Sequence, residues 1–127
     1  MKKIVFFILA GLLFAGQAKA QNVEVLYFRA DLGCCQARAC EFFSGQVKEA
    51  VEQNYNSKDV VFRVVRIASP DNADLVKAHN ARSMSLVVVN SANGKSKDMS
   101  HALAEYRRDR DMDKLEAAIA EAVDETR

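Results

Sequence analysis

The sequence predicts an α/β fold in which a four-stranded mixed sheet is flanked by helices, in the order β-α-β-α-β-β-α. Three observations lead there. Short runs rich in β-branched residues, at Val23–Phe28, Val60–Ile67 and Leu86–Asn90, read as buried strands. The segments between the first three strands change to helical spacing, which implies a parallel sheet with right-handed crossovers, closed by an antiparallel hairpin. Asn93-Gly94, just after the third run, is the strongest two-residue hairpin signal in the chain.

The chain opens with Met1-Lys2-Lys3, an uncharged apolar run from Ile4 to Phe14, and the small-x-small ending Ala18-Lys19-Ala20. That order is the pattern of a signal peptide, and the apolar run is short for a membrane span. Residues 1–20 are therefore expected to be a leader cleaved after Ala20, with residues 21–127 forming a single domain in the periplasm or secreted. The first strand, Val23 to Phe28, leads towards a long helix. Its apolar stripe is Cys40, Phe43, Val47, Ala50, Val51 and Tyr55, at i, i+3, i+4 spacing. Val60 to Ile67 is expected as a second strand buried on both faces. Ser69-Pro70 with Asp71 opens a shorter helix carrying Leu75 and Val76 and ending near His79-Asn80. Leu86 to Asn90 is the third strand, and Lys95 to Met99 a short polar edge strand antiparallel to it. The last helix, from Met112 to about Val123, sets Met112, Leu115, Ile119 and Val123 on one face. Asp109, Asp111 and Asp113 lie near its start, where the helix dipole favours anions.

Composition excludes several function classes. The chain has 127 residues, with 18 Lys+Arg against 17 Asp+Glu. Loss of Lys2, Lys3 and Lys19 with the leader leaves a slight excess of acidic groups. That balance lacks the basic face expected of a nucleic-acid binder. After residue 20 no apolar stretch reaches the roughly 20 residues of a membrane helix, so no span is expected in the mature chain. An exported chain places its cysteines in an oxidising compartment.

Those cysteines carry the chemistry. The segment Tyr27-Phe28-Arg29-Ala30-Asp31-Leu32-Gly33-Cys34-Cys35-Gln36-Ala37-Arg38-Ala39-Cys40-Glu41 runs from a strand through a short loop into the first long helix. A cysteine at such a junction meets unsatisfied backbone N–H groups and the positive end of the helix dipole, which stabilise a thiolate. A thiolate is the nucleophile of disulfide exchange. Cys34 is best placed for it. Cys35 could replace it or resolve a mixed disulfide, although a Cys34–Cys35 bridge would be strained. Cys40 lies on the apolar stripe and reads either as a buried hydrophobe or as a resolving thiol.

This order of elements resembles the thioredoxin fold over nearly all of residues 21–127. More narrowly, the chain is similar to a group of small exported proteins named the "nitrophenyl compound nitroreductase subunit" family. Tyr27-Phe28-Arg29, Cys34, Arg38 and Glu41 match the opening of its motif. Met84-Ser85-Leu86-Val87-Val88-Val89 and Asn93-Gly94-Lys95 match its later strand and hairpin. The resemblance implies a thioredoxin fold and thiol redox work, with protein or small-molecule thiols and disulfides as partners. It implies no cofactor, since nothing in the chain suggests a flavin site. Two positions depart from the pattern. Ala37 stands where the second cysteine of Cys-x-x-Cys is found, and Ser83-Met84-Ser85 stands where the fold carries a cis-proline. A non-proline residue there is expected to be trans.

Two other classes of function stay open on the residues alone. One is a redox-inactive binding module with the same fold. The other is a soft-metal protein, since three thiols within seven residues could ligate Cu(I), Zn(II) or an arsenical. His79 and His101 are distant in sequence and read as surface or cap residues. Arg107-Arg108-Asp109-Arg110-Asp111 reads as a solvated connection before the last helix.

Overall fold

The structure, a computed structural model, describes residues 23–31 and 34–127, with the side chains of Cys34 and Cys35 left out. The leader read at residues 1–20 and the thiols of Cys34 and Cys35 thus lie outside the described residues. The elements are β1 (Val23–Arg29), α1 (Cys34–Asn54), β2 (Val60–Arg66) and a 3₁₀ turn (Pro70–Asn72) leading into α2 (Ala73–Ala78). They continue with β3 (Leu86–Asn90), β4 (Ser96–Asp98), α3 (Ser100–Asp109) and α4 (Met112–Thr126). The fold is α/β, a four-stranded mixed sheet flanked by helices, with strand order β2-β1-β3-β4. No helix among the described residues is long and apolar enough to cross a membrane.

Helix crossovers suggested parallel neighbours, and this holds only for β1 and β2, in register from Val23 opposite Val60 to Arg29 opposite Arg66. β3 runs antiparallel to β1, with Tyr27 opposite Leu86. The connection from Ile67 to Ser85 passes through the 3₁₀ turn and α2 and re-enters the sheet at the end where β2 finishes, with Arg66 opposite Arg29 and Leu86 opposite Tyr27.

Alternation along β1 divides its side chains between two clusters. Val23, Val25 and Tyr27 face α1, α3 and α4, together with the α1 stripe of Cys40, Phe43, Val47, Ala50 and Val51. Leu26 and Phe28 face the other side, with Val65, Val87 and the partly buried Leu75 and Val76 of α2. One face is thus covered by three helices and the other by one short helix.

Two expectations need correction. β2 is an edge strand paired only with β1, so Val61 and Val64, at 44% and 41% exposure, stand largely in solvent. The run read as a linker before the last helix instead ends α3. Met99, Leu103 and Tyr106 form that segment's buried stripe, and the Asp98 carboxylate accepts from the Ser100 N–H at 2.8 Å. Arg110 in left-handed backbone (φ 56°) closes α3, its N–H donating to the Tyr106 carbonyl at 2.8 Å. Asp111 then caps α4, accepting from the Lys114 N–H.

The hairpin forms where Asn93-Gly94 placed it, with Gly94 at φ +76°, a conformation that favours glycine. Asn90 locks it to the end of α4. Its buried side chain accepts from the Ala92 N–H at 2.9 Å and donates to the Thr126 carbonyl at 3.0 Å. Asn90→Ala should cost about 1–3 kcal/mol, the range for leaving buried polar groups unpaired. Urea unfolding would measure the loss, and hydrogen exchange should accelerate first at residues 122–126 and 91–95.

Candidate functional site

The site region lies where β1 ends and α1 begins. α1 is 21 residues long with Cys34 as its first residue, and its first turn carries no acidic side chain. Its position on the sheet is set by Tyr27. The buried phenol donates to the Cys40 carbonyl at 3.0 Å, and its oxygen lies 3.3 Å from the Cys40 Sγ. Burial, foremost, then the Cys40 side chain beside it push the Tyr27 phenol well above its ordinary range, while Arg107 and Arg29 pull it down.

Cys40 is buried and free. Its thiol points at β1, two turns into the helix, so it serves the packing of the core-facing stripe. Cys34 and Cys35 are brought to the junction by their backbone alone, since their side chains fall outside the described residues.

A cleft of about 340 Å³ opens beside this junction, lined by Gln36, Ala39, Ser83, Met84 and Arg107. Its floor is the loop that precedes β3. The Met84 N–H donates to the Phe28 carbonyl at 2.8 Å, and the Phe28 N–H donates to the Ser85 carbonyl at 2.9 Å, so this loop is clamped to the end of β1. The peptide bonds of the described residues are trans, as expected without a proline, and Met84 instead takes left-handed backbone at φ 66°. Such a conformation costs a non-glycine residue about 1–3 kcal/mol. The Arg82–Ser85 turn holds it there, with the Ser85 N–H donating to the Arg82 carbonyl and the Ser85 hydroxyl accepting from the Arg82 N–H. The buried Ser83 Oγ has no hydrogen-bond partner among the described residues.

Arg107 reaches the cleft from α3, which aromatic contacts pin to α1. Phe43 meets Tyr106 edge to face at 6.2 Å, and the Tyr106 hydroxyl donates to the Gln46 Oε1 at 2.9 Å. The Arg107 guanidinium lies 5.6 Å from the Phe43 ring centre and that of Arg110 4.7 Å from it. Both distances suit cation–π attraction.

Sequence reading missed Arg107 as a cleft residue, whereas Ser83 and Met84 stood out as the loop in the place of the cis-proline. The Met99, Leu103 and Tyr106 spacing could have revealed α3 and with it the place of Arg107. Neither histidine lines this cleft. His79 packs its ring on Phe28, and His101 pairs with Glu105 at 3.2 Å on the exposed side of α3. Among the described residues no three His, Cys, Asp or Glu side chains gather to hold a metal ion. A larger cleft of about 420 Å³ lies at the far end of α1, between Asn54, Tyr55, Asp113 and Glu116, and contains no cysteine or histidine. Compared with known proteins, the chain matches no protein-family model, no curated protein and no solved structure.

The buried phenol makes stability depend on alkaline pH. Its folded-state value is raised, so its contribution is complete below the ordinary phenol range near pH 10 and declines as pH rises further. The decline is up to about 1.4 kcal/mol per pH unit while only the unfolded chain ionises. Tyr27→Phe should lose about 1–3 kcal/mol at pH 7 and show a shallower fall above pH 10. Urea midpoints at pH 7, 10 and 11 for both proteins test this, and parallel slopes would contradict it.

Proposed function

We propose that this chain is an exported, thioredoxin-like protein that carries out thiol–disulfide exchange through Cys34. One observation carries the reading: Cys34 opens a 21-residue helix directly after the central strand, with no acidic residue in its first turn. The strand order β2-β1-β3-β4, with β3 antiparallel, supports the thioredoxin-like reading, as does the loop clamped beside the helix start. In the proposed reaction the Cys34 thiolate attacks one sulfur of a substrate disulfide. A mixed disulfide forms, the substrate S–S bond breaks, and its other sulfur leaves as a thiolate. Completing a turnover needs a second thiol. Ala37 cannot supply it, and Cys40 is buried against Tyr27. That leaves Cys35 or an external thiol to attack the mixed disulfide and release Cys34. A single-thiol cycle with an external thiol avoids the strain of a vicinal bridge.

Iodoacetamide labelling of the reduced protein from pH 5 to 9, mapped by mass spectrometry, tests this assignment. Cys34 should be modified fastest, with half-labelling below the ordinary thiol value of about 8.5. Cys40 should be modified only in denaturant, and Cys40→Ala should cost about 1 kcal/mol without altering labelling of Cys34. Equal, slow labelling of Cys34 and Cys35 with no acid shift would sink the proposal in favour of a redox-inactive module.

A further inference from the structure

We infer that the cleft beside the start of α1 selects small anionic thiols and disulfides, and that Arg107 recognises their negative charge; this rests on the thiol-exchange reading above. Of the five cleft-lining residues, Arg107 alone is charged. Its guanidinium lies 5.6 Å from the Phe43 ring centre, a cation–π contact that favours this position of the charge. No carboxylate among the described residues lies within ion-pair distance of it. The charge is therefore at the cleft and without a carboxylate partner among the described residues.

The surroundings have the same sign. Arg38 is exposed on α1, Arg82 precedes the cleft loop, and Arg110 stacks on Phe42 and Phe43. Of the acidic groups on these segments, Asp31 binds Arg66 at 2.9 Å and Asp109 faces Lys114. Glu105 has only the His101 imidazole beside it, and Glu41 has no ion pair among the described residues. The positive potential extends inward as well, since Arg107 and Arg29 both favour the charged form of Tyr27.

Size further defines the ligand. A volume of about 340 Å³ sits at the lower end for small-molecule pockets, which fits a low-molecular-weight thiol bearing a carboxylate. A clustered positive charge in a concave site concentrates anions and speeds their encounter, an effect that salt weakens.

The test uses three symmetrical disulfides of similar size: anionic 3,3′-dithiodipropionate, neutral bis(2-hydroxyethyl) disulfide and cationic cystamine. Each forms a mixed disulfide at Cys34 and releases one equivalent of its own thiol, and the adduct is read by mass spectrometry. Rates are taken relative to the free thiol N-acetylcysteinamide. The full-length mature protein at low salt should prefer the anionic over the cationic disulfide by roughly tenfold, the lower end of electrostatic focusing in a cleft. Arg107→Gln should remove most of that preference, while Arg107→Lys, which keeps the charge, should retain most of it. Rising ionic strength should shrink it in the wild type. An anionic-to-cationic ratio unchanged in Arg107→Gln, with the wild type reacting normally with the neutral disulfide, overturns the inference. Failure of the wild type to react at Cys34 even with the neutral disulfide instead overturns the thiol-exchange reading, and this inference falls with it.

Discussion

β1 is paired on both edges and buried on both faces, so no residue along most of its length is free to vary its surroundings. Its alternation assigns Val23, Val25 and Tyr27 to one cluster and Leu26 and Phe28 to the other. The Tyr27 phenol then passes that constraint to α1, because its only proton is committed to the Cys40 carbonyl. A helix held at this carbonyl cannot slide along the sheet without orphaning a buried phenol, a cost of about 1–3 kcal/mol. The start of α1 is thereby set against the end of β1.

From that junction the site region assembles through neighbours. Main-chain bonds at Phe28 clamp the loop carrying Ser83 and Met84, and the aromatic contacts of Phe43 bring α3 and Arg107 alongside. The left-handed Met84 is tolerated because bonds on both sides hold it. Cys40 belongs to this framework, and its burial separates it from the chemistry proposed for Cys34. The two positions differ because Cys34 begins the helix, whereas Cys40 lies on the stripe that the sheet covers.

Much of the fold was legible in local patterns. β1, β2 and β3 are within a residue of their apolar runs, and the stripe from Cys40 to Val51 is the buried face of α1. Asn93-Gly94 marked its turn because a left-handed residue is needed there. The exposed side of β2 was not legible, since a Val-rich run reads alike at the centre and at the edge of a sheet. α3 was readable from Met99, Leu103 and Tyr106, but the dense charges at residues 107–111 looked like a linker. Arg107 and Arg108 lie in the helix and Arg110 closes it, with the Arg107 and Arg110 guanidinium groups set over Phe42 and Phe43, partners remote in sequence.

The sequence by itself determined every element but α3, the alternation of β1 and the presence of three cysteines near one strand-to-helix junction, because each depends on residues close along the chain. Only the tertiary structure decided the reversed direction of β3, because the loop before it is held to the end of β1 by main-chain bonds between Phe28 and residues 84 and 85. It likewise decided that Cys40 faces Tyr27 and that Arg107 shares a cleft with Ser83 and Met84. Those pairings join segments far apart in sequence, and their distances are set by packing across the sheet rather than by any local preference of the chain.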